Sequence, residues 1–146
     1  IRNSLRMRPD RIIVGEVRGA EALEMLQAMN TGHSGSMSTG HANSPEDMIT
    51  RIETMILMGD TDLPLAAVRG QIASAINIVV HLGRLRDRQR KVLSIHEITG
   101  MEAGSVKMEC LYRFCETGEA NGKILGKMEK CGELVHTGKL REAGIL

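Results

Sequence analysis

The stretch RPDRIIVGEVRGAE, residues 8–21, sets Glu16 and Arg18 directly behind an apolar run. Its β-branched block after Pro9-Asp10 has the pattern of a strand, residues 11–17, buried on both faces of a parallel sheet. Ligands of such sheets bind beyond the carboxyl ends of the strands, where loops and helix N-termini converge. An acid at that edge, beside a nucleotide's γ-phosphate, can hold Mg²⁺ through water or orient the attacking water. The competing use is structural, an ion pair of Glu16 with Arg18 or Arg8 that closes the strand end. A second stretch, TGHSGSMSTGHANSPED at 31–47, places His33 and His41 on either side of a short strand. His41, at the carboxyl end of that strand, is expected at the same edge as Glu16. An imidazole there can donate to a phosphate oxygen and report whether the γ-phosphate is present. A zinc site from His33 and His41 is disfavoured, because no helix or hairpin spacing and no cysteine pair supports it. His81, His96 and His136 are read as structural hydrogen bonders.

The elements that must carry these side chains alternate. Leu23, Leu26 and Met29, with Ala22 and Met25 beside them, recur at helical spacing over 20–29, and Asn30-Thr31-Gly32 stops that helix. Residues 35–39, GSMST, read as a second central strand. The next helix has a full start signal in Ser44, Pro45, Glu46 and Asp47, with Met48, Ile52, Met55 and Ile56 as its buried face and Gly59 as its end. Another helix is expected after Asp62, burying Leu65, Val68, Ile72 and Ala75. It leads into a third apolar strand at 76–82. Beyond it the basic turn RLRDRQRK (84–91), the strand VLSIHEI (92–98) and the period-two run VKMECLYRF (106–114) read as antiparallel elements added to the sheet edge. KILGKM is a last short strand, and 134–144 a terminal helix. The turn's arginines read as a solvated hairpin tip or a contact surface, with Asp87 favouring a salt-bridged contact.

Composition narrows the class. Lys+Arg 19 against Asp+Glu 18 gives no general attraction to nucleic acid, and one Tyr, one Phe and no Trp leave no base-stacking platform. No apolar run approaches the roughly 18–20 residues of a membrane span, so a cytoplasmic location is expected. Cys110, Cys115 and Cys131 lack C-x-x-C spacing and are read as reduced thiols. The ten methionines supply adaptable core packing. The chain opens on Ile1 within an amphipathic segment, which reads as a piece of a longer protein.

Together, LRMRPDRIIVGEVRGAEALEMLQAMNTGHSGSMSTGHANSPEDMITRIETMILM and QIASAINIVVHLGRLRDRQRKVLSIHEITGME resemble the secretion ATPases of the type II/type IV superfamily, closest to the tight-adherence (Flp-type) pilus-assembly branch. The resemblance covers about the first 104 residues. It implies an α/β fold, the second half of a RecA-like P-loop NTPase core (1–104) with antiparallel β elements on its C-terminal side and an extension (105–146). In that family the strand ending in Gly-Glu is the Walker B element and the run through His41 the histidine box. The resemblance therefore assigns Glu16 and His41 to catalysis, with Glu16 holding Mg²⁺ through water. It assigns Arg6, Arg8, Arg18 and His33 to phosphate or subunit contacts, His33 being expected to order its loop. ATP and Mg²⁺ are the implied cofactors. A homo-hexamer on an inner-membrane secretion or pilus platform, with no nucleic acid, is the implied assembly.

Two departures qualify it. Gly40 stands where the family carries a larger apolar residue, which loosens the strand end that aims His41. The Gly-Lys pairs at 122, 126 and 138 lack both the leading glycine and the following Ser or Thr of G-x-x-x-x-G-K-[ST], so these residues alone are expected to be inactive. The alternative reading is a non-enzymatic scaffold or ring-assembly module that has lost the nucleotide-binding half.

Overall fold

A computed structural model describes residues 1–33, 35–59 and 62–146; Ser34, inside the histidine-bearing run, lies outside the described residues. The chain forms two compact units, Ile1–Asn77 with Gly100–Lys107, and Ile78–Thr99 with Met108–Leu146.

The first unit opens with the single-turn helix α1 (Arg2–Leu5), followed by β1 (Ile13–Val14), α2 (Glu21–Asn30), β2 (Met37–Ser38), α3 (Pro45–Leu57) and α4 (Leu65–Ala75). β1 and β2 pair in parallel, as a strand-helix-strand crossover requires. Helices α2, α3 and α4 pack on one another. Each offers a stripe at helical spacing: Ala22, Met25 and Leu26; Ile49, Ile52, Met55 and Ile56; Val68, Ile72 and Ala75. Ser44 caps α3 by accepting from the Asp47 N–H at 3.0 Å, with Pro45 at its first position. Arg69 clamps this layer, with Nε 2.8 Å and Nη2 3.3 Å from the two Glu53 oxygens and Nη1 donating to the Gly104 carbonyl at 2.9 Å.

Several expectations need correction here. The first strand is not buried on both faces: Ile12 and Val17 are in the core, but Ile13 is 69% and its partner Met37 56% exposed. Alternation puts Ile13 and Met37 on the face away from the helices, where no described layer covers them. In α3, Ile49 takes the buried position expected of Met48, which is only half-buried. Leu65, the first residue of α4, is 38% exposed and does not join the buried stripe of Val68, Ile72 and Ala75.

The second unit is built on an antiparallel sheet, β3 (Ile78–Arg84), β4 (Arg90–Glu102), β5 (Ser105–Ala120) and β6 (Lys123–Lys130), in that order. These strands form their own sheet and do not extend the β1–β2 pair, so the strand expected at 76–82 as a third member of the α/β layer pairs with β4 instead. Tight turns set the registers. Ala103-Gly104 and Asn121-Gly122 carry positive φ at both residues, the twist that joins neighbouring antiparallel strands with a two-residue loop. The basic turn is braced internally. Asp87 accepts from the Gln89 N–H at 3.0 Å and the Ile124 N–H at 2.7 Å, so it acts as a turn cap instead of a salt-bridge partner. Arg86 forms ion pairs with Glu116 and Glu119. The terminal helix is short, α5 (Gly138–Glu142). Residues 135 and 136 are not helical because the Glu97 carboxylate, 2% exposed, takes their backbone N–H groups at 2.7 and 2.8 Å.

Candidate nucleotide-facing site

The parallel pairing continues past β1 and β2. Met37 N–H donates to the Ile12 carbonyl at 3.0 Å and Val17 N–H to the Thr39 carbonyl at 3.1 Å, while the Thr39 hydroxyl donates to the Gly15 carbonyl. These bonds lock the carboxyl ends of both strands side by side, and Glu16 and His41 leave from that edge.

Their side chains meet. Glu16 Oε2 accepts from Arg18 Nε at 2.8 Å and lies 3.4 Å from His41 Nε2. Arg18 and His41 are 71% and 76% exposed and Glu16 37%, so the cluster faces open solvent. The hydrogen bond from Arg18 holds the Glu16 carboxyl below its ordinary 4.5; desolvation opposes this, and the charges of Arg18 and His41 add to the lowering. The Glu16–Arg18 ion pair therefore exists, and His41 joins it at the same oxygen. Arg8 does not take part: it is exposed, in the left-handed region at φ 51°. Arg6, at the end of α1, is also exposed and makes no ion pair with Glu16.

His33 is turned elsewhere. Its Nδ1–H donates to the Ala28 carbonyl at 3.2 Å, and its own carbonyl accepts from the Ser36 hydroxyl at 2.7 Å. The Ser36 hydroxyl in turn accepts from Ile12 N–H at 3.0 Å, so His33 orders the loop that enters β2 and ties it to β1. At Gly40 an added Cβ would fall on the end of the Met48 side chain, 2.7 Å from its sulfur. The apolar bulk expected at position 40 is supplied from α3 by Met48.

Two contributors are not among the expected site residues. Thr39 ties the strand ends together, and Glu21, the first residue of α2, accepts from the Arg18 and Gly19 N–H groups at 2.7 and 3.1 Å. An acid is favoured in the first turn of any helix, and that signal does not single out Glu21 from Glu24 in the same turn.

Among the described residues no group of three or more His, Cys, Asp or Glu is placed to hold a metal ion directly. Glu16 is one carboxylate with Oε2 engaged by Arg18 and His41. That donor set fits a Mg²⁺ ion held through water and does not fit a protein-chelated metal.

The chain is similar to known proteins. The family model described as type II/IV secretion system protein matches residues 1–142. A putative conjugal transfer protein of Mycobacterium tuberculosis is 45% identical over 95 residues, 65% of this chain and 26% of that protein. The type IV secretion system protein PtlH of Bordetella pertussis is 37% identical over 107 residues, 70% of this chain and 32% of that protein. The crystal structure of the VirB11 ATPase from the Brucella suis type IV secretion system, in complex with sulphate, superposes with a TM-score of 0.62 at 31% identity, covering 66% of this chain and 30% of that one. The chain thus spans about a quarter to a third of the length of these relatives. Its mixed α/β fold with an antiparallel sheet matches that of the VirB11 ATPase over the shared part. With a family match over residues 1–142 of 146, the chain belongs to the type II/IV secretion system protein family.

Proposed function

We propose that this chain is the C-terminal part of a secretion ATPase, with 1–104 as the second half of a RecA-like ATPase domain and 105–146 as its extension. The observation that carries the reading is the convergence of Glu16, Arg18 and His41 at the carboxyl edge of two parallel strands. In this reading Glu16 is the Walker B acid and orients the water that attacks the γ-phosphate, while His41, in the histidine box, senses that phosphate. Arg18 holds Glu16 ionised, and Arg6 and Arg8, exposed on the same side of the sequence motif, serve phosphate charge or a subunit contact. Mg²⁺ held through water by Glu16 would supply charge neutralisation on the phosphates. ATP itself is gripped by a P-loop that residues 1–146 do not contain, so the chain alone hydrolyses nothing.

The working assembly is a cytoplasmic homo-hexamer bound to an inner-membrane secretion or pilus platform, moving a pilin or another exported protein and no nucleic acid. The M. tuberculosis relative is named for conjugal transfer and the B. pertussis one for type IV secretion, which supports secretion in general. The tight-adherence branch rests on the motif run through His41.

The test is Glu16→Gln in a complete protein that joins this chain to its nucleotide-binding half. Turnover is expected to fall about 10²–10⁴-fold with nucleotide affinity nearly unchanged, the pattern of an interaction made in the transition state. Unchanged turnover removes the role of Glu16. A complete protein that carries no nucleotide-binding half and binds no ATP identifies the scaffold alternative.

A further inference from the structure

We propose that Glu21 is the positioning residue of the Glu16–Arg18 pair; this rests on the reading of Glu16 as the acid that faces the phosphates. The Arg18 side chain is 71% exposed, so little packing holds it. An arginine left to itself samples many rotamers. Its aim at Glu16 must come from the backbone that carries it, and that backbone is pinned on both sides. On one side Val17 N–H is held by the Thr39 carbonyl at 3.1 Å. On the other, one oxygen of Glu21 collects the Arg18 and Gly19 N–H groups at 2.7 and 3.1 Å.

The local sequence makes this possible. Gly19 leaves room for the carboxylate: a Cβ there would lie 3.1 Å from the second Glu21 oxygen. The Ala20 side chain makes no capping bond to α2, so the acid on the next residue reaches back over the turn and also sits favourably at the positive end of the helix. The backbone hydrogen bonds, that from Arg18 first, hold the Glu21 carboxyl below its ordinary 4.5. Glu21 thus fixes the turn between strand and helix, the turn fixes Arg18, and Arg18 fixes one oxygen of Glu16.

The chemistry separates this role from others. Both bonds end on a single oxygen, so the amide oxygen of glutamine can accept them and alanine cannot. Glu21→Ala in this chain is expected to speed amide exchange at Arg18 and Gly19 by about tenfold or more and to raise the mobility of Arg18 Nε in ¹⁵N relaxation, while Glu21→Gln stays within about threefold of the parent. In the complete protein Glu21→Ala is expected to lower kcat about 10–100-fold with KM within about twofold, and Glu21→Gln to restore most of it. If Glu21→Gln is as damaging as Glu21→Ala, the charge acts directly and the proposal falls. If exchange and Arg18 mobility do not respond to Glu21→Ala, it also falls. Should both respond as expected while Glu16→Gln leaves turnover intact, the positioning stands and the assignment of Glu16 is what fails.

Discussion

Glu16 keeps its charge to lower pH than a free glutamate because a guanidinium is bonded to one of its oxygens. A carboxyl lowered in the folded state stabilises the fold above its unfolded value, near 4.5, and loses that contribution as pH falls through the folded value. Arg18→Ala should therefore move the Glu16 titration, followed by ¹³C carboxyl NMR, upward toward 4.5. His41→Ala should move it less, since the imidazole lies 3.4 Å from the oxygen that the Arg18 guanidinium bonds at 2.8 Å. An upward shift larger in His41→Ala than in Arg18→Ala would reverse the ranking of the two partners. Glu16 and His41 were legible in the sequence because each follows an apolar or small-sided strand whose end could be located. Glu21 was not, since its role is to bond the backbone of a turn, and only coordinates show which oxygen reaches which N–H.

Two glycines show how elements support the site and the sheet in different ways. At Gly40 the obstacle to a side chain is the flexible end of Met48, which can swing aside. At Gly126, opposite Glu116 on β5, the obstacle is the Cys115 carbonyl, 2.6 Å from a built Cβ, together with the Phe114 ring. Backbone cannot swing aside. Gly126→Ala should thus cost about 1–3 kcal/mol in urea unfolding and Gly40→Ala less than about 1 kcal/mol. Gly40→Ile should cost about 1–3 kcal/mol, and Met48→Ala added to it should recover part of that loss through a coupling of at least about 0.5 kcal/mol. Strict additivity would mean that Met48 does not fill the space beside Gly40. Helix α3 was readable from Ser44 and Pro45 because its cap is local chemistry, whereas the supply of bulk to Gly40 by Met48 is a contact between elements. The Asn121-Gly122 pair, not among the expected turns, makes the two-residue turn from which β6 starts.

At the scale of the whole chain, the alternation of strands and helices gave the α/β character. It could not show that residues 78–84 leave the parallel pair, since an apolar strand reads the same whichever neighbour it bonds. Nor could it show that the last residues spend backbone donors on Glu97, a buried acid more than thirty positions away. Each compact unit consequently has its own critical residue. Ile72, fully buried among the helices, should cost about 2–5 kcal/mol when cut to alanine. Glu97→Ala removes the carboxylate that accepts from the Val135 and His136 N–H groups, and each such bond to a charged group is worth about 1.5–3 kcal/mol. Hydrogen exchange across the chain distinguishes the two losses. Ile72→Ala should lower protection first in 1–77 and 100–107, and Glu97→Ala first in 78–99 and 108–146, beginning at Val135 and His136. If either substitution lowered protection equally everywhere, opening would be cooperative over all 146 residues, and the second unit's grip on its C-terminal segment would be no local property of Glu97.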